Sequence, residues 1–260
     1  MDEIIKGRKV FDERKQRSYI KIKYASSPTV SLEAIMVTSA IDAHEGRDVA
    51  TIYIPGNYLH SYSYGEVIMI LEGRLAEILV SIYPNIYIKY VVLEKGVNVL
   101  YVKLPNAIYG LLHSKLLFYL KLATDLKNNG FIINPYDPCV SKKLVRGEDM
   151  TVVWHVDYPK VLHKDPFEAT KFAQYLSMIY SNKLKANRGN IDHYLGMNLE
   201  YSDTGVVEAL MMKCLHNVLD EFIEELRGTP DTPEADHMFQ LKGEDEADVL
   251  EEDRAEMFHH

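Results

Sequence analysis

The segment Trp154-His155-Val156-Asp157-Tyr158 closes an apolar run that begins at Met150. Another apolar run, residues 139–145, precedes it, and Arg146-Gly147-Glu148-Asp149 separates the two. Two such runs joined by a short polar link with a glycine predict a β-hairpin. Asp157 then lies at the far end of this hairpin, where a carboxylate in a strand turn can bind a divalent metal ion.

The segments around the hairpin predict helices and further strands. The predicted helices are residues 31–40 with a stop at Gly46, 114–128 with a stop at Gly130, 165–180 opened by Asp165-Pro166-Phe167-Glu168, and an amphipathic segment over 215–226. The predicted strands are residues 49–54, 67–71 and 99–104, and a second hairpin spans 196–206. Hairpins mixed with helices, without strict alternation, indicate an α+β fold with a partly antiparallel sheet and packed helices.

Helical spacing also predicts which side chains face the core. For the first helix these are Leu32, Ile35, Met36, Ala40 and Ala43, and for residues 114–128 they are Leu116, Leu117, Leu120 and Leu126.

Charge divides the 260-residue chain into three parts. The formal net charge is -9, which weighs against a large phosphate-binding surface. Basic residues concentrate in residues 1–23, which we interpret as a basic N-terminal arm, whereas residues 228–260 are rich in aspartate and glutamate. We expect this acidic tail to be disordered because its composition buries little apolar surface. The folded domain is then residues 24–227.

The sequence indicates an intracellular protein. The two cysteines, Cys139 and Cys214, are too few for a disulfide framework and lack zinc-ligand spacing. The amino terminus has no apolar signal-peptide core, and no run reaches the roughly 18 apolar residues of a membrane span. We therefore expect a cytoplasmic or nuclear location, without secretion or a membrane partner.

Several short stretches resemble, in the same order, the reverse transcriptase of Ty1/copia-type retrotransposons. His155-Val156-Asp157-Tyr158 is similar to the Tyr-Val-Asp-Asp box of reverse transcriptases. The other matching stretches are Tyr24-Ala25-Ser26-Ser27-Pro28-Thr29-Val30, Tyr53-Ile54-Pro55-Gly56-Asn57-Tyr58-Leu59-His60, Leu104-Pro105-Asn106-Ala107-Ile108-Tyr109-Gly110-Leu111, Asp137-Pro138-Cys139-Val140 and His193-Tyr194-Leu195-Gly196-Met197. The resemblance covers roughly residues 24–227.

This resemblance implies a palm with part of the fingers, in which three aspartates bind two Mg²⁺ ions and the partner is an RNA or DNA primer–template. Carried over by position, the three aspartates fall on Tyr53, Asp157 and Tyr158. A tyrosine phenol with a pKa near 10 is neutral at pH 7 and lacks the paired oxygens of a carboxylate. Asp157 is then the one metal ligand left of three, and we expect no polymerase activity.

The resemblance also implies a nucleotide pocket. Tyr58 keeps the aromatic ring that would exclude a ribose 2′-hydroxyl, and Asn57 stands where the family has a small alanine beneath the sugar. His113 falls in the segment where the family has a glutamine and a basic residue.

Two alternatives to an inactive copy remain open. In one, a nearby acid such as Asp48 or Glu66 replaces a lost ligand and the polymerase is active. In the other, the domain is a non-enzymatic module that binds nucleic acid or protein. The sequence does not determine the oligomeric state.

Overall fold

The computed structural model describes residues 3–6, 9–11, 26–63, 67–180 and 184–221. The six described helices are α1 (Leu32–Glu45), α2 (Arg74–Ile82), α3 (Pro84–Tyr87), α4 (Ser114–Asn128), α5 (Pro166–Ile179) and α6 (Met212–Glu221). The described strands are β1 (Glu3–Lys6), β2 (Lys9–Phe11), β3 (Asp48–Tyr53), β4 (Val67–Glu72), β5 (Val91–Glu94), β6 (Val97–Lys103), β7 (Ile132–Ile133), β8 (Val140–Val145), β9 (Glu148–His155), β10 (Tyr158–His163), β11 (Lys185–Arg188), β12 (Ile191–Tyr194), β13 (Met197–Tyr201) and β14 (Val207–Leu210). Short 3₁₀ turns occupy Asn57–His60 and Ile88–Tyr90.

The chain divides into two units, residues 1–194 with 198–209, and residues 195–197 with 210–260. The first unit contains a six-stranded antiparallel sheet in the order β11-β3-β10-β9-β8-β7. It also contains a five-stranded sheet, β2-β1-β4-β6-β5, in which only the described pairing of β1 with β4 is parallel. A smaller sheet has the order β12-β13-β14. The described part of the second unit includes α6, whose Met212, Leu215, Val218 and Leu219 are exposed.

The core of the first unit is built from α4, α5 and the six-stranded sheet. Leu122 and Leu126 of α4, Leu176 of α5 and Ile52 of β3 are fully buried. Each such side chain contributes about 2 kcal/mol by leaving water. Aromatic rings join the two helices to their surroundings, as Phe131 and Phe172 do with ring centroids 5.2 Å apart.

The structure confirms the α+β class and the main predicted elements. The predicted hairpin is β8 and β9, joined by Arg146 and Gly147 with φ of 53° and 86°. Asp165 caps α5 by accepting a hydrogen bond from the Phe167 amide, and Gly46 ends α1 with φ of 61°. Helix α4 has the predicted bounds.

Other expectations were wrong. Leu32, Met36 and Ala40 of α1 and Leu120 of α4 are exposed rather than buried. Helix α1 instead buries Ser39 and Asp42 along with Ile35 and Ala43, because it covers a buried lysine of the sheet. Strand β10 was not predicted, since Pro159 and Lys160 are unusual in the interior of a sheet.

Some expectations concern parts of the chain that the structure describes little or not at all. Within the basic arm, only β1 and β2 are described, and the acidic tail at 228–260 lies outside the described residues. No helix in the described part of the chain is long and apolar enough to cross a membrane.

A buried polar network centres on Lys160 of β10. The Lys160 ammonium donates hydrogen bonds to Ser39 Oγ at 3.0 Å and to the Tyr201 hydroxyl at 2.7 Å. It also lies 3.7 Å from a carboxylate oxygen of Asp192, whose other oxygen accepts a hydrogen bond from Thr51 Oγ1 at 2.7 Å. The network therefore connects α1, β3, β10, β12 and β13.

Asp42 of α1 is buried near this network, where the charged form of its carboxyl is unfavourable. Burial raises the pKa of Asp42 to about 7, against the opposing attraction of Lys160 and Arg47. Its nearest contact to the Arg47 guanidinium is 3.9 Å, and neither carboxylate oxygen accepts a hydrogen bond from a described residue. An ionised Asp42 therefore lacks the hydrogen bonds that normally compensate for burial of a charge.

We predict that Asp42 makes the fold less stable as pH rises. Its pKa is higher in the folded protein than in the unfolded chain, so its stabilising contribution is lost between about pH 4 and pH 7. Urea unfolding of the wild type and Asp42→Asn across this range should show the wild type losing roughly 3–4 kcal/mol relative to the variant. Parallel stability profiles would contradict the raised pKa of Asp42.

Candidate functional site

The end of β3 meets the turn between β9 and β10. The antiparallel register pairs Lys160 with Thr51, and continuing it by two residues places Tyr158 directly opposite Tyr53. Their ring centroids are 5.0 Å apart with planes tilted by 32°. Beyond this pair, the Ile54 amide donates a hydrogen bond to the Asp157 carbonyl at 3.0 Å. The structure thus brings together the three positions that the resemblance assigned to metal-binding aspartates.

Two residues, Val156 and Asp157, make the turn from β9 to β10, because His155 pairs directly with Tyr158. Val156 has a φ of 51°, a left-handed conformation that a β-branched residue rarely adopts. Such strain costs on the order of 1–2 kcal/mol and is maintained here by the paired strands on both sides. The turn presents Asp157 half-buried, and this burial raises the pKa of its carboxyl, against the opposing effects of its own backbone amide and of His155.

A second pair of tyrosines lies beside the first. Tyr58, in the 3₁₀ turn after β3, and Tyr109, in the loop before α4, have ring centroids 4.7 Å apart. The Tyr109 hydroxyl donates a hydrogen bond to Asn57 Oδ1 at 2.8 Å, and Tyr58 contacts Phe118 of α4 edge-on. Both tyrosines are therefore held in defined positions.

We call Tyr53, Tyr58, Tyr109 and Tyr158, together with Asp157, the tyrosine cluster. Burial raises the pKa of the Tyr58, Tyr109 and Tyr158 phenols, and the Asp157 carboxylate raises them further. These three phenols are therefore protonated and neutral at physiological pH.

Hydrogen bonds join some of the remaining matching stretches to one another or to β10. The Asp137 carboxylate accepts hydrogen bonds from the Ser31 amide and hydroxyl, both at 2.9 Å, and from the Cys139 amide. The Tyr194 hydroxyl donates to the Tyr158 carbonyl at 3.0 Å. Residues 24 and 25 of the first stretch lie outside the described residues.

The predicted nucleotide-pocket residues are mostly covered. Asn57 and Tyr58 are buried, and Asn57 Oδ1 already accepts the Tyr109 hydroxyl. His113 is buried immediately before α4. Their role in nucleotide binding stays a prediction.

Of the two proposed substitute ligands, Asp48 lies too far from Tyr53 to complete a metal site there. Asp48 begins β3 whereas Tyr53 ends it, which separates them by roughly 16 Å along the strand. The Asp48 carboxylate also pairs with Arg188 at 3.3 Å. Glu66 lies outside the described residues.

The residues of the tyrosine cluster do not fit a site for two Mg²⁺ ions. Mg²⁺ prefers several charged oxygen ligands in octahedral geometry, and Asp157 contributes the cluster's one carboxylate. Across the described ranges, no group of three or more His, Cys, Asp or Glu side chains could hold a metal ion.

Sequence reasoning missed Tyr109 as a member of this site. Tyr109 occurs in one of the matching stretches, but its position against Asn57 and Tyr58 depends on the fold of the loop at 104–113. That loop is fixed by hydrogen bonds such as Asn106 Nδ2 to the Leu59 carbonyl at 2.6 Å and the Ala107 amide to the Ser61 carbonyl at 2.8 Å.

Comparison with known proteins gives no relative, because no protein-family model and no curated protein sequence matches the chain.

We predict that the hydroxyl of Tyr109 stabilises the cluster. Tyr109→Phe removes the hydrogen bond to Asn57 and leaves a buried amide oxygen unpaired, which should cost about 1–2 kcal/mol in the free energy of unfolding. Urea denaturation measures this loss. The control is Tyr136→Phe, because Tyr136 is 96% exposed and should show no change. Equal stability of the two variants would contradict the role of the hydrogen bond.

Proposed function

We propose that the chain is a reverse-transcriptase-like palm domain of the Ty1/copia type that does not catalyse polymerisation. The observation that carries this proposal is the placement of Tyr53 opposite Tyr158, with Asp157 in the adjoining turn. In the family that the sequence resembles, aspartates at these three positions share one metal site. Residues separated by about a hundred positions therefore meet where that resemblance requires them to meet.

The packing of the other matching stretches supports the same proposal. The stretch ending at Val30 is followed by Ser31, which is bonded to Asp137 of another stretch. Tyr109 contacts Tyr58, and Tyr194 contacts the Tyr158 backbone.

Loss of activity follows from the chemistry of the substituted positions. In the family, one ion lowers the pKa of the primer 3′-hydroxyl and the other holds the incoming triphosphate. Asp157 alone cannot bind such a pair, and the neutral phenol of Tyr158 adds bulk without charge. Because carboxylates of one metal site act as a unit, loss of a single member can remove several kcal/mol of transition-state stabilisation.

A protein-binding module is the second candidate, and the surface of α2 favours it. Leu75, Ile78 and Ile82 recur at helical spacing, and all three are exposed although they are large and apolar. Exposed apolar stripes of this kind commonly mark protein interfaces. This candidate and the inactive palm are compatible, since one describes the ancestry of the domain and the other its present use.

A primer-extension assay on an RNA template tests the loss of activity. We expect no extension by the wild type with Mg²⁺ or Mn²⁺, because the metal site lacks two of its three carboxylates. Clear extension would overturn the inactive assignment. Binding to a primer–template duplex, measured at increasing salt, separately tests whether the palm still binds nucleic acid, since contacts to phosphates weaken as salt rises.

The ancestry itself is tested by restoring the carboxylates. We predict that Tyr53→Asp with Tyr158→Asp creates a Mn²⁺ site, detected by electron paramagnetic resonance, with affinity at least about tenfold above the wild type. The matched control is Tyr62→Asp with Tyr136→Asp, which adds the same charge at two exposed tyrosines elsewhere. Equal binding by the two double variants would show that Tyr53 and Tyr158 do not mark a metal site.

A further inference from the structure

The tyrosine cluster exposes aromatic surface beside a carboxylate. The side chains of Tyr109 and Tyr158 are 58% and 43% exposed, and Tyr53 and Asp157 are half-buried. One side of the Tyr158 ring packs against Tyr53, and one side of the Tyr109 ring packs against Tyr58. An incoming group can therefore touch the exposed sides of Tyr109 and Tyr158 and approach the carboxylate of Asp157.

The rings are held in place before any ligand arrives. Tyr109 is fixed through its hydroxyl to Asn57, and the backbone of Tyr158 is fixed by the Tyr194 hydroxyl. The Tyr58 ring packs against the Tyr109 ring, and the Tyr53 ring packs against the Tyr158 ring with centroids 5.0 Å apart. Little side-chain entropy is then lost on binding, which favours affinity.

The charge of the cluster selects the sign of its ligand. The faces of aromatic rings carry partial negative charge and attract cations, and Asp157 adds a full negative charge when ionised. The chain as a whole has a net charge of -9. A phosphate group placed against Asp157 would meet a carboxylate and the negative faces of the rings, whereas the cation nearest in the strand register, Lys185 of β11, pairs with Tyr53.

The strength with which a cation holds its hydration water decides which cation suits the tyrosine cluster. Mg²⁺ exchanges its water only for several oxygen ligands, which the cluster lacks. An alkylated ammonium group spreads its charge over methyl groups, so it leaves water at low cost and packs well against ring faces. The cluster, which lacks the ligands of a hard metal ion, thus has the chemistry of an aromatic site for a soft cation.

We propose that the tyrosine cluster binds an alkylated ammonium group, with its methyl groups against the exposed sides of Tyr109 and Tyr158 and its charge facing Asp157. This inference goes beyond the inactive palm and does not require it. Primer extension by the wild type would overturn the proposed function and leave ammonium binding to be judged by its own measurement.

Titration with choline and with its uncharged tert-butyl analogue tests the role of charge. The two molecules have the same shape, so a site that recognises only apolar bulk binds them equally. Nuclear magnetic resonance of the full chain with carbon-13-labelled tyrosine rings reports binding at the cluster directly, and Tyr158→Phe identifies the Tyr158 signal. We expect saturable shifts of the cluster resonances with choline and at least about tenfold weaker binding of the analogue.

A second arm distinguishes the source of the ammonium group. A short peptide with trimethyllysine is compared with the same peptide carrying unmodified lysine. Tighter binding of the trimethyllysine peptide than of choline identifies a modified protein as the better ligand, whereas equal affinities identify a small molecule as sufficient. Both results require that the methylated cation binds better than lysine.

Variants localise the effect to the cluster. We expect Tyr158→Leu to weaken choline binding about tenfold, and Asp157→Asn to weaken it several-fold by removing the negative charge. Rescue by Tyr158→Phe is expected because the ring face is kept, and Tyr136→Leu is the matched control at an exposed tyrosine outside the cluster. Thermal unfolding verifies that each variant is folded.

Three results would overturn the proposal. These are the absence of saturable shifts in the wild type, equal affinities for choline and its uncharged analogue, and equal binding by the folded Tyr158→Leu variant and the wild type.

Discussion

The register between β3 and β10 is the constraint on which the rest of the first unit depends. It places Lys160 opposite Thr51 and, two residues further, Tyr158 opposite Tyr53. A slip by one residue would turn every side chain of β10 to the other face of the sheet. Lys160 would then lose Asp192 and Ser39, and a lysine buried without partners is far too costly to tolerate. The buried lysine thus fixes the register, and the register brings the two tyrosines together.

The residues that set the geometry of this site differ from the residues that decide what the site binds. The strand ends, the strained turn at Val156 and the hydrogen bonds of Asn57 and Tyr194 set the geometry. Tyr53 and Tyr158 only occupy that geometry, so their identity changes what the site binds without changing how it is built. With phenols at both positions, the site lacks the ligands of a hard metal ion and offers aromatic surface suited to a soft cation. The ammonium proposal rests on the tyrosines that are present, whereas the palm proposal rests on the aspartates that the resemblance assigns to the same positions.

Much of the fold could be predicted from the sequence, because its strongest signals are local. The link at Arg146 and Gly147, the cap at Asp165 and the stop at Gly46 each act within a few residues, and the structure has turns or helix ends at all three. Long-range interactions overrode local patterns elsewhere. Helix α1 turns Asp42 inward and leaves Leu32 exposed because it covers Lys160. The spacing of apolar residues along a helix carries no information about a buried charge on another strand.

The candidate site was predictable only where the resemblance assigned positions. Tyr53, Asp157 and Tyr158 were singled out from the sequence, and the structure places them side by side. Tyr109 was missed because the loop that positions it has no regular pattern, and its contacts lie some fifty residues away along the chain.

A cross-link between the two strands tests whether the end of β3 lies directly opposite the start of β10. The hydrogen bond from Ile54 to Asp157 makes the neighbouring pair, Tyr53 and Tyr158, a non-hydrogen-bonded pair with Cα atoms about 4.5 Å apart. That separation suits a disulfide. We expect Tyr53→Cys with Tyr158→Cys to form this disulfide on mild oxidation, identified by peptide mass spectrometry, and Asp48→Cys with Tyr158→Cys not to form one. Free thiols at both positions of the first variant, or equal cross-linking in the second, would contradict this register between β3 and β10.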